Sequence, residues 1–565
     1  MSDIRNLLQR AAIVPHDDAI VPHDGDAAPL QLPSEDLSLV SNLDDEFRWA
    51  EHNMNVIGDG DVDSLHAFLN ESHSSAFSGI SSDQVAKNTW HANCEAHCCQ
   101  PIPHGEYTAA IEWNHHAADE LICLPFGPSC VFSDVLDFAM PQVKSCALAS
   151  VECGQASFDS LASLFFAKGA VGQHAPCRRH GKHCCFKRCK GNVSGSPCTD
   201  FSSMGTKHGE CGPTTMFFLC WAALMRIVAP HWILAENVEA FPVRLLKIAF
   251  GHMYEIHTHI FSNVDFGKAG RRVRRYSLMT LRTIVRLTRE LSDCTVLFGR
   301  RRAKEHTWRN YFTASIAEQI AELRWAYQRP TIDASSCLPL DGATELSSAH
   351  FHAGLTKFEQ ERLELYKRDF DADNCVVSLN QNPEEQATTS TTDELHTVIR
   401  NCHLLWSEVH GRWLTGRECL LTQGVPTTNS SLAACQRRSS SKRPMSSFNV
   451  LRRDFNLGNR LRTEMAHQAG NMMSVQVIGS IQMFMGMYIK RDITLPSPCR
   501  PLVPSRMLMT PPSSTSTDMK RSQSGMSTSS SNEDSGTPGS ANDCKPKRKK
   551  LSLGDWESLR RNIIR

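Results

Sequence analysis

Between about Asn70 and Thr283 the chain alternates short apolar, β-rich runs with stretches of helical periodicity. "YTAAIEW" (107–113) and "HWILAENV" (231–238) predict buried strands, and "TTMFFLCWAALMRIV" (214–228) predicts a helix between two strands. Strand–helix alternation of this kind predicts βαβ units, a parallel sheet and an α/β fold. The longest apolar stretch, Met216 to Ala235, is broken by Arg226, Pro230 and His231. It predicts helix, turn and strand, and no membrane span. Two further helical stretches, "SIAEQIAELRWAYQ" and "GLTKFEQERLELYKR", fall between Lys304 and Asn374. The ends of the chain lack such patterning. A tandem "IVPHDDA/IVPHDGD" near the start is too polar to pack, and beyond Leu495 the chain is rich in Ser, Pro, Thr and Lys. The expected layout is a disordered segment over 1–50, a main body over 70–303, a second region over 304–400, a return segment over 401–490 and a disordered basic tail over 491–565.

Composition adds limits. The 565 residues are 41% apolar and 21% charged, which is ordinary for a globular protein. Sixty basic residues balance sixty acidic ones, so any nucleic-acid binding must use a local basic face. Arginines crowd from Arg271 to Arg302, and "KPKRKK" (545–550) suits nuclear import or contact with nucleic acid. The polar, acidic start predicts no secretory leader, so the 22 cysteines are expected to be reduced.

Three fragments carry candidate chemistry. "GSPCTDFSSMG" (195–205) sets Cys198 in a constrained Pro-Cys turn among small residues, a setting for either a buried thiol or a nucleophile of lowered pKa. "ENV" (236–238) follows directly on the strand "HWILA", so Glu236 sits at a strand's carboxyl end, where open α/β sheets bind ligands. In "GRRVR" (270–274), Arg272 and Arg274 are two apart and share a face if the segment is extended.

In order and spacing these fragments resemble the cytosine-C5 methyltransferases, which use S-adenosylmethionine. "GSPCTDFSSMG" is similar to the family's Pro-Cys motif, "ILAENV" to its Glu-Asn-Val motif and "GRRVR" to its Gln-x-Arg-x-Arg motif, with Gly270 in place of the Gln. "GHMYEIHTHIFSNVDFG" resembles the family's Gly-Tyr strand segment. "GRWLTGRECLLTQGVP" (411–426) resembles its Arg-x-Leu-Thr-x-x-Glu region, and "AHQAGNMMSVQVIGSIQMFM" (466–485) its closing Gly-Asn motif. The amino-terminal motifs depart further. "AFSGISSDQVA" (76–86) keeps Phe77 and Gly79 of the glycine loop, but Ser75, just before it, and Ser81 stand where the family has Asp and Gly.

The resemblance implies a Rossmann-like class I methyltransferase sheet, with catalysis and cofactor binding in 70–303 and target recognition in 304–400. It implies a nuclear DNA cytosine-5 methyltransferase that flips its target base. Cys198 would be the nucleophile at carbon 6, Glu236 the proton donor to N3, and Arg272 or Arg274 the stabiliser of O2. Phe77, Gly79, Glu112, Asp134, Pro197 and Asn471 would hold the cofactor. The expected partner is DNA, with no membrane. The alternatives are methylation of RNA, or a non-catalytic nucleic-acid-binding protein with a degenerate cofactor loop. An insertion ends "HAPCRRHGKHCCFKRCKG" (174–191). There Cys177, His180, Cys184 and Cys189 have a spacing that could hold zinc, yet they form no paired C-x-x-C pattern. The expectation is reduced thiols in a surface loop and no metal.

Overall fold

A computed structural model describes residues 38–491, except 59–60, 100, 125, 203–204, 372–373, 387–388, 391–392, 401–403 and 436–461. The tail over 491–565, including "KPKRKK", lies outside the described residues apart from Arg491, and so does the start of the chain through residue 37.

Nine strands form one sheet. In chain order they are β1 (His73–Ala76), β2 (Tyr107–Ile111), β3 (Cys130–Phe132), β4 (His174–Cys177), β5 (Lys182–Cys185), β6 (Gly191–Ser194), β7 (Trp232–Asn237), β8 (Tyr254–Ser262) and β9 (Val273–Leu281). Their spatial order is β5-β4-β3-β2-β1-β6-β7-β9-β8. Pairing is parallel from β3 through β7, and β9 runs antiparallel between β7 and β8. Without the β4–β5 hairpin this is the expected class I methyltransferase sheet, open and doubly wound, with one reversed strand. Every residue of β1, β2 and β6 is buried, as parallel strands covered on both faces require. The direction of winding reverses between β1 and β6, and that switch point is where such sheets open a crevice at their carboxyl edge.

The apolar run at 214–228 forms a helix over those same residues, Thr214–Val228, with thirteen of its fifteen positions buried. The inserted segment at 174–191 is a hairpin on the sheet's edge, not a surface loop. Cys189 stands apart from the tip of that hairpin, and its thiol donates to Ser74 Oγ at 3.2 Å and Gly191 O at 3.1 Å.

The expectation of disorder over 1–50 fails from residue 38 onward. Phe47 and Trp49 are buried in the main core, at the start of α1 (Trp49–Ile57) and just before it. Trp49 occupies the space that a side chain at Gly479 would need, since a Cβ there would come within 2.1 Å of the indole. Gly479 lies in α3 (Val475–Tyr488), which packs with α1 against α2 (Ser82–Cys98). Glu46 is also buried, where it meets Lys268 Nζ, His306 Nε2 at 3.0 Å and Tyr311 Oη at 2.8 Å.

A second core gathers around 316–413. The helices Ile316–Tyr327 and Lys357–Asp369 arise where the sequence predicts them. Each begins on a capping box, Ser315 with Glu318 and Thr356 with Glu359, which satisfies otherwise orphaned amide groups. They bury Leu323, Leu363 and Tyr366 with Trp406 and Trp413, so this core reaches beyond residue 400. The Arg-x-Leu-Thr-x-x-Glu stretch that follows is a structural joint. Arg412 and Glu418 form a buried bidentate pair with both bonds at 2.8 Å, and Glu418 also accepts from the amides of Thr415 and Ala314.

Candidate active site

The carboxyl edge of the parallel strands brings most of the candidate residues together. Phe77 follows β1, Glu112 follows β2, Asp134 lies just past β3, Cys198 follows β6, and Glu236 is next to last in β7. The loop bearing Cys198 is closed on itself and on its neighbours. The amides of Phe201 and Ser202 both donate to Cys198 O at 2.9 Å. Asp200, buried, accepts from Thr206 Oγ1 at 2.7 Å and from the Thr214 amide at 2.8 Å, tying the loop to the helix that begins at Thr214. Asn237 holds the other side, its Nδ2 donating to Ser196 Oγ at 2.9 Å. Sequence reasoning did not single out Asp200 or Asn237, although both lie in the quoted motifs. Their signal was position in a motif, without a chemistry to assign.

Glu236 and Arg274 face one another, with Oε1 and Nε 3.1 Å apart. The contact is an ion pair without hydrogen-bond alignment, and it leaves Oε1 unsatisfied among the described residues. Tyr276 lies directly across from Glu236 in the β9–β7 register, and Arg274 is two residues back on the same face. Arg272 is used differently. It is 4% exposed, and its guanidinium donates to Val398 O at 3.1 Å and to Gly470 O at 3.3 and 3.4 Å. Burial, reinforced by Arg274, brings its pKa down to about 10. Of the two candidate arginines, Arg274 is the one that meets the Glu236 carboxylate.

A lowered thiol pKa at Cys198 is not met. Burial pushes it up; Arg274 and Arg272 pull it down, and Glu236 opposes them. These four groups share one local field.

Beside them is a cleft lined by Phe77, Ser78, Asp83, Gly195, Asn471 and Met473, among others. Gly195 is its close approach: a Cβ there would meet Met473 Cε at 3.0 Å and Glu236 Oε2 at 3.6 Å. Pro197, Glu112, Asp134 and Gly79 do not line it. The Glu112 carboxylate accepts from the amides of Gly79 and Asn114, both at 2.7 Å, and Asp134 caps a short helical turn through the Leu136 amide at 3.0 Å. The departures from the glycine loop have a visible consequence. Ser81 holds φ 62° and ψ 58°, the left-handed region that glycine enters freely. Its hydroxyl bonds Tyr107 Oη at 3.0 Å and Asp83 Oδ1 at 2.9 Å, and Ser75 also reaches Tyr107. Hydrogen bonds offset the strain that serine brings to this backbone.

The family described as C-5 cytosine-specific DNA methylase matches residues 181–482, more than half of the chain. The protein belongs to that family. Cys198, Glu236, Arg272, Arg274 and Asn471 fall inside the match, whereas Phe77, Gly79, Glu112 and Asp134 precede it. No curated protein sequence matches. Similar solved structures include a Dnmt2 methyltransferase of S. pombe (15% identity, TM-score 0.35) and a putative DNA modification methyltransferase encoded in an E. coli prophage (14%, 0.36). EhMeth of Entamoeba histolytica (13%, 0.33) is a third. Each alignment covers 74% of this chain and 98% of the other. Membership implies S-adenosylmethionine as methyl donor and a nucleic acid as substrate. Among the described residues no helix is long and apolar enough to cross a membrane.

Proposed function

We propose that this cytosine-C5 methylase acts on DNA through a covalent adduct at Cys198. The observation that carries the proposal is the Glu236–Arg274 pair, 3.1 Å apart at the strand end beside the Cys198 loop. Carbon 5 of cytosine is a weak nucleophile. Addition of the Cys198 thiolate at carbon 6 would make carbon 5 electron-rich, and the charge that develops on the ring requires neutralising. Glu236 would serve N3 as proton donor, and Arg274 would stabilise the carbonyl oxygen O2. Arg272, bound by two backbone carbonyls, would position the segments at Val398 and Gly470 and would not touch the base. Once carbon 5 is methylated, loss of its proton to water, return of the N3 proton to Glu236 and expulsion of the thiolate would release the product.

Two observations support this cleft as the place of the family's cofactor. Gly195 leaves its floor without a side chain, and Asp83 Oδ2 is buried there with no partner among the described residues, an acceptor suited to an ammonium. Phe77, Asp83 and Asn471 would hold the cofactor in the cleft, and Glu112 could accept hydrogen bonds from ribose hydroxyls. When bound, S-adenosylmethionine supplies an electrophilic methyl group. The family's description supports DNA as the polymer, and the basic tail suits nuclear work.

The test is transfer of isotopically labelled methyl groups to duplex DNA and, separately, to transfer RNA. DNA labelling by the wild type that falls at least about a hundredfold in Glu236→Gln is expected. Labelling of RNA alone would overturn the choice of polymer.

A further inference from the structure

The β4–β5 hairpin gathers metal ligands that the methylation chemistry does not use. Cys177 ends β4, His180 lies in the tight turn, Cys184 lies in β5, and Cys130 begins the neighbouring β3. Their ligand atoms all lie within 4.8 Å of one another. His180 Nδ1 stands 3.4 Å from Cys177 Sγ, 3.5 Å from Cys184 Sγ and 3.7 Å from Cys130 Sγ. Zinc bonds of about 2.3 Å to sulfur and about 2.05 Å to nitrogen at tetrahedral angles give an S···N edge of about 3.6 Å. The three distances bracket that edge. Cys185 is excluded because adjacent strand residues face opposite ways, and Cys189 because its thiol is engaged with Ser74 and Gly191.

We propose that Cys130, Cys177, His180 and Cys184 form a structural zinc site that fastens the hairpin to the edge of the sheet. The hairpin has need of a fastener. β5 is almost wholly exposed, and the ladder between β4 and β3 is a single pair, Phe132 with Cys177. An isolated two-stranded hairpin is marginal in water. Gly181, at φ 64°, makes the turn that brings His180 back over the sulfurs, and its amide donates to Cys177 O at 2.8 Å. Three sulfurs and one imidazole select zinc and close the site with four protein ligands, so the metal is structural. On binding, the three thiols release their protons to solvent and His180 ligates as the neutral ring, which makes uptake pH-dependent. Cys130 lies at the amino end of β3, the end opposite Asp134, so the metal stands away from the methylation cleft.

The test is metal analysis of the purified full chain, which should carry about one zinc. Cys184→Ala and Cys130→Ala should each lower the zinc content at least about tenfold, while Cys189→Ala and Cys185→Ala keep it. Should the ligand variants fail to fold, cobalt(II) added to the reduced, metal-stripped wild type should give the intense visible bands and thiolate charge transfer of a tetrahedral sulfur-rich site, and zinc should bleach them. A wild type that carries no zinc and takes up no cobalt once reduced would overturn the proposal. So would zinc retained in Cys184→Ala.

Discussion

The thiol of Cys198 is held up by burial and by Glu236 while two arginines pull it down, with the upward shift prevailing. The group therefore rests as a thiol, and reactivity has to rise with pH. Iodoacetamide should modify Cys198 slowly at neutral pH and faster toward alkaline pH, as followed by peptide mass spectrometry. Arg274→Ala should slow the reaction further at neutral pH and move its rise to higher pH, because it removes the first of the two lowering charges. Rapid, pH-independent alkylation at neutral pH would contradict this electrostatic account. The Pro-Cys and Glu-Asn-Val fragments were legible in the sequence because the chemistry is written locally, in residue type and in place at a strand end. The division of labour between Arg272 and Arg274 was not legible. It depends on Val398 and Gly470, carbonyls more than 120 residues away in sequence that carry no signal of their own.

At the scale of elements, strands and helices over 107–283 could be read because apolar runs, caps and turns signal themselves within a few residues. Two things could not. Trp49 packs on Gly479 and draws residues 38–57 into the core, although their local pattern is polar. The β4–β5 hairpin acquires Cys130 from a distant strand, which no spacing within 174–191 announces. The joint at Arg412–Glu418 gives a sharp prediction. Glu418→Ala would leave a guanidinium buried without its carboxylate and should cost roughly 3–5 kcal/mol of stability. Denaturant unfolding measures that loss, and a change below about 1 kcal/mol would show the pair to be dispensable.

Across the whole molecule, two buried carboxylates pull stability in opposite directions with pH. Burial alone would raise Glu46, but Lys268 and His306 outweigh it and bring the pKa from its usual 4.5 down to about 2. Its stabilisation is complete above the unfolded value and is lost as pH falls from about 4.5 toward about 2. Burial raises Asp83 from 3.8 to about 6, so its contribution is complete below 3.8 and is lost as pH rises through about 6. Thermal unfolding against pH should show both limbs. Asp83→Asn should flatten the one between about 4 and 6, and Glu46→Gln the one below 4.5. An unchanged profile in either variant would contradict the assignment. The proposed function turns on one reaction, addition of the Cys198 thiol to cytosine. Covalent trapping tests it most directly. Full-length protein, S-adenosylmethionine and duplex DNA carrying 5-fluorocytosine should give a denaturant-stable protein–DNA adduct, since fluorine blocks the final elimination, and Cys198→Ser should give none. Absence of the adduct in the wild type, or its persistence in Cys198→Ser, would contradict the account.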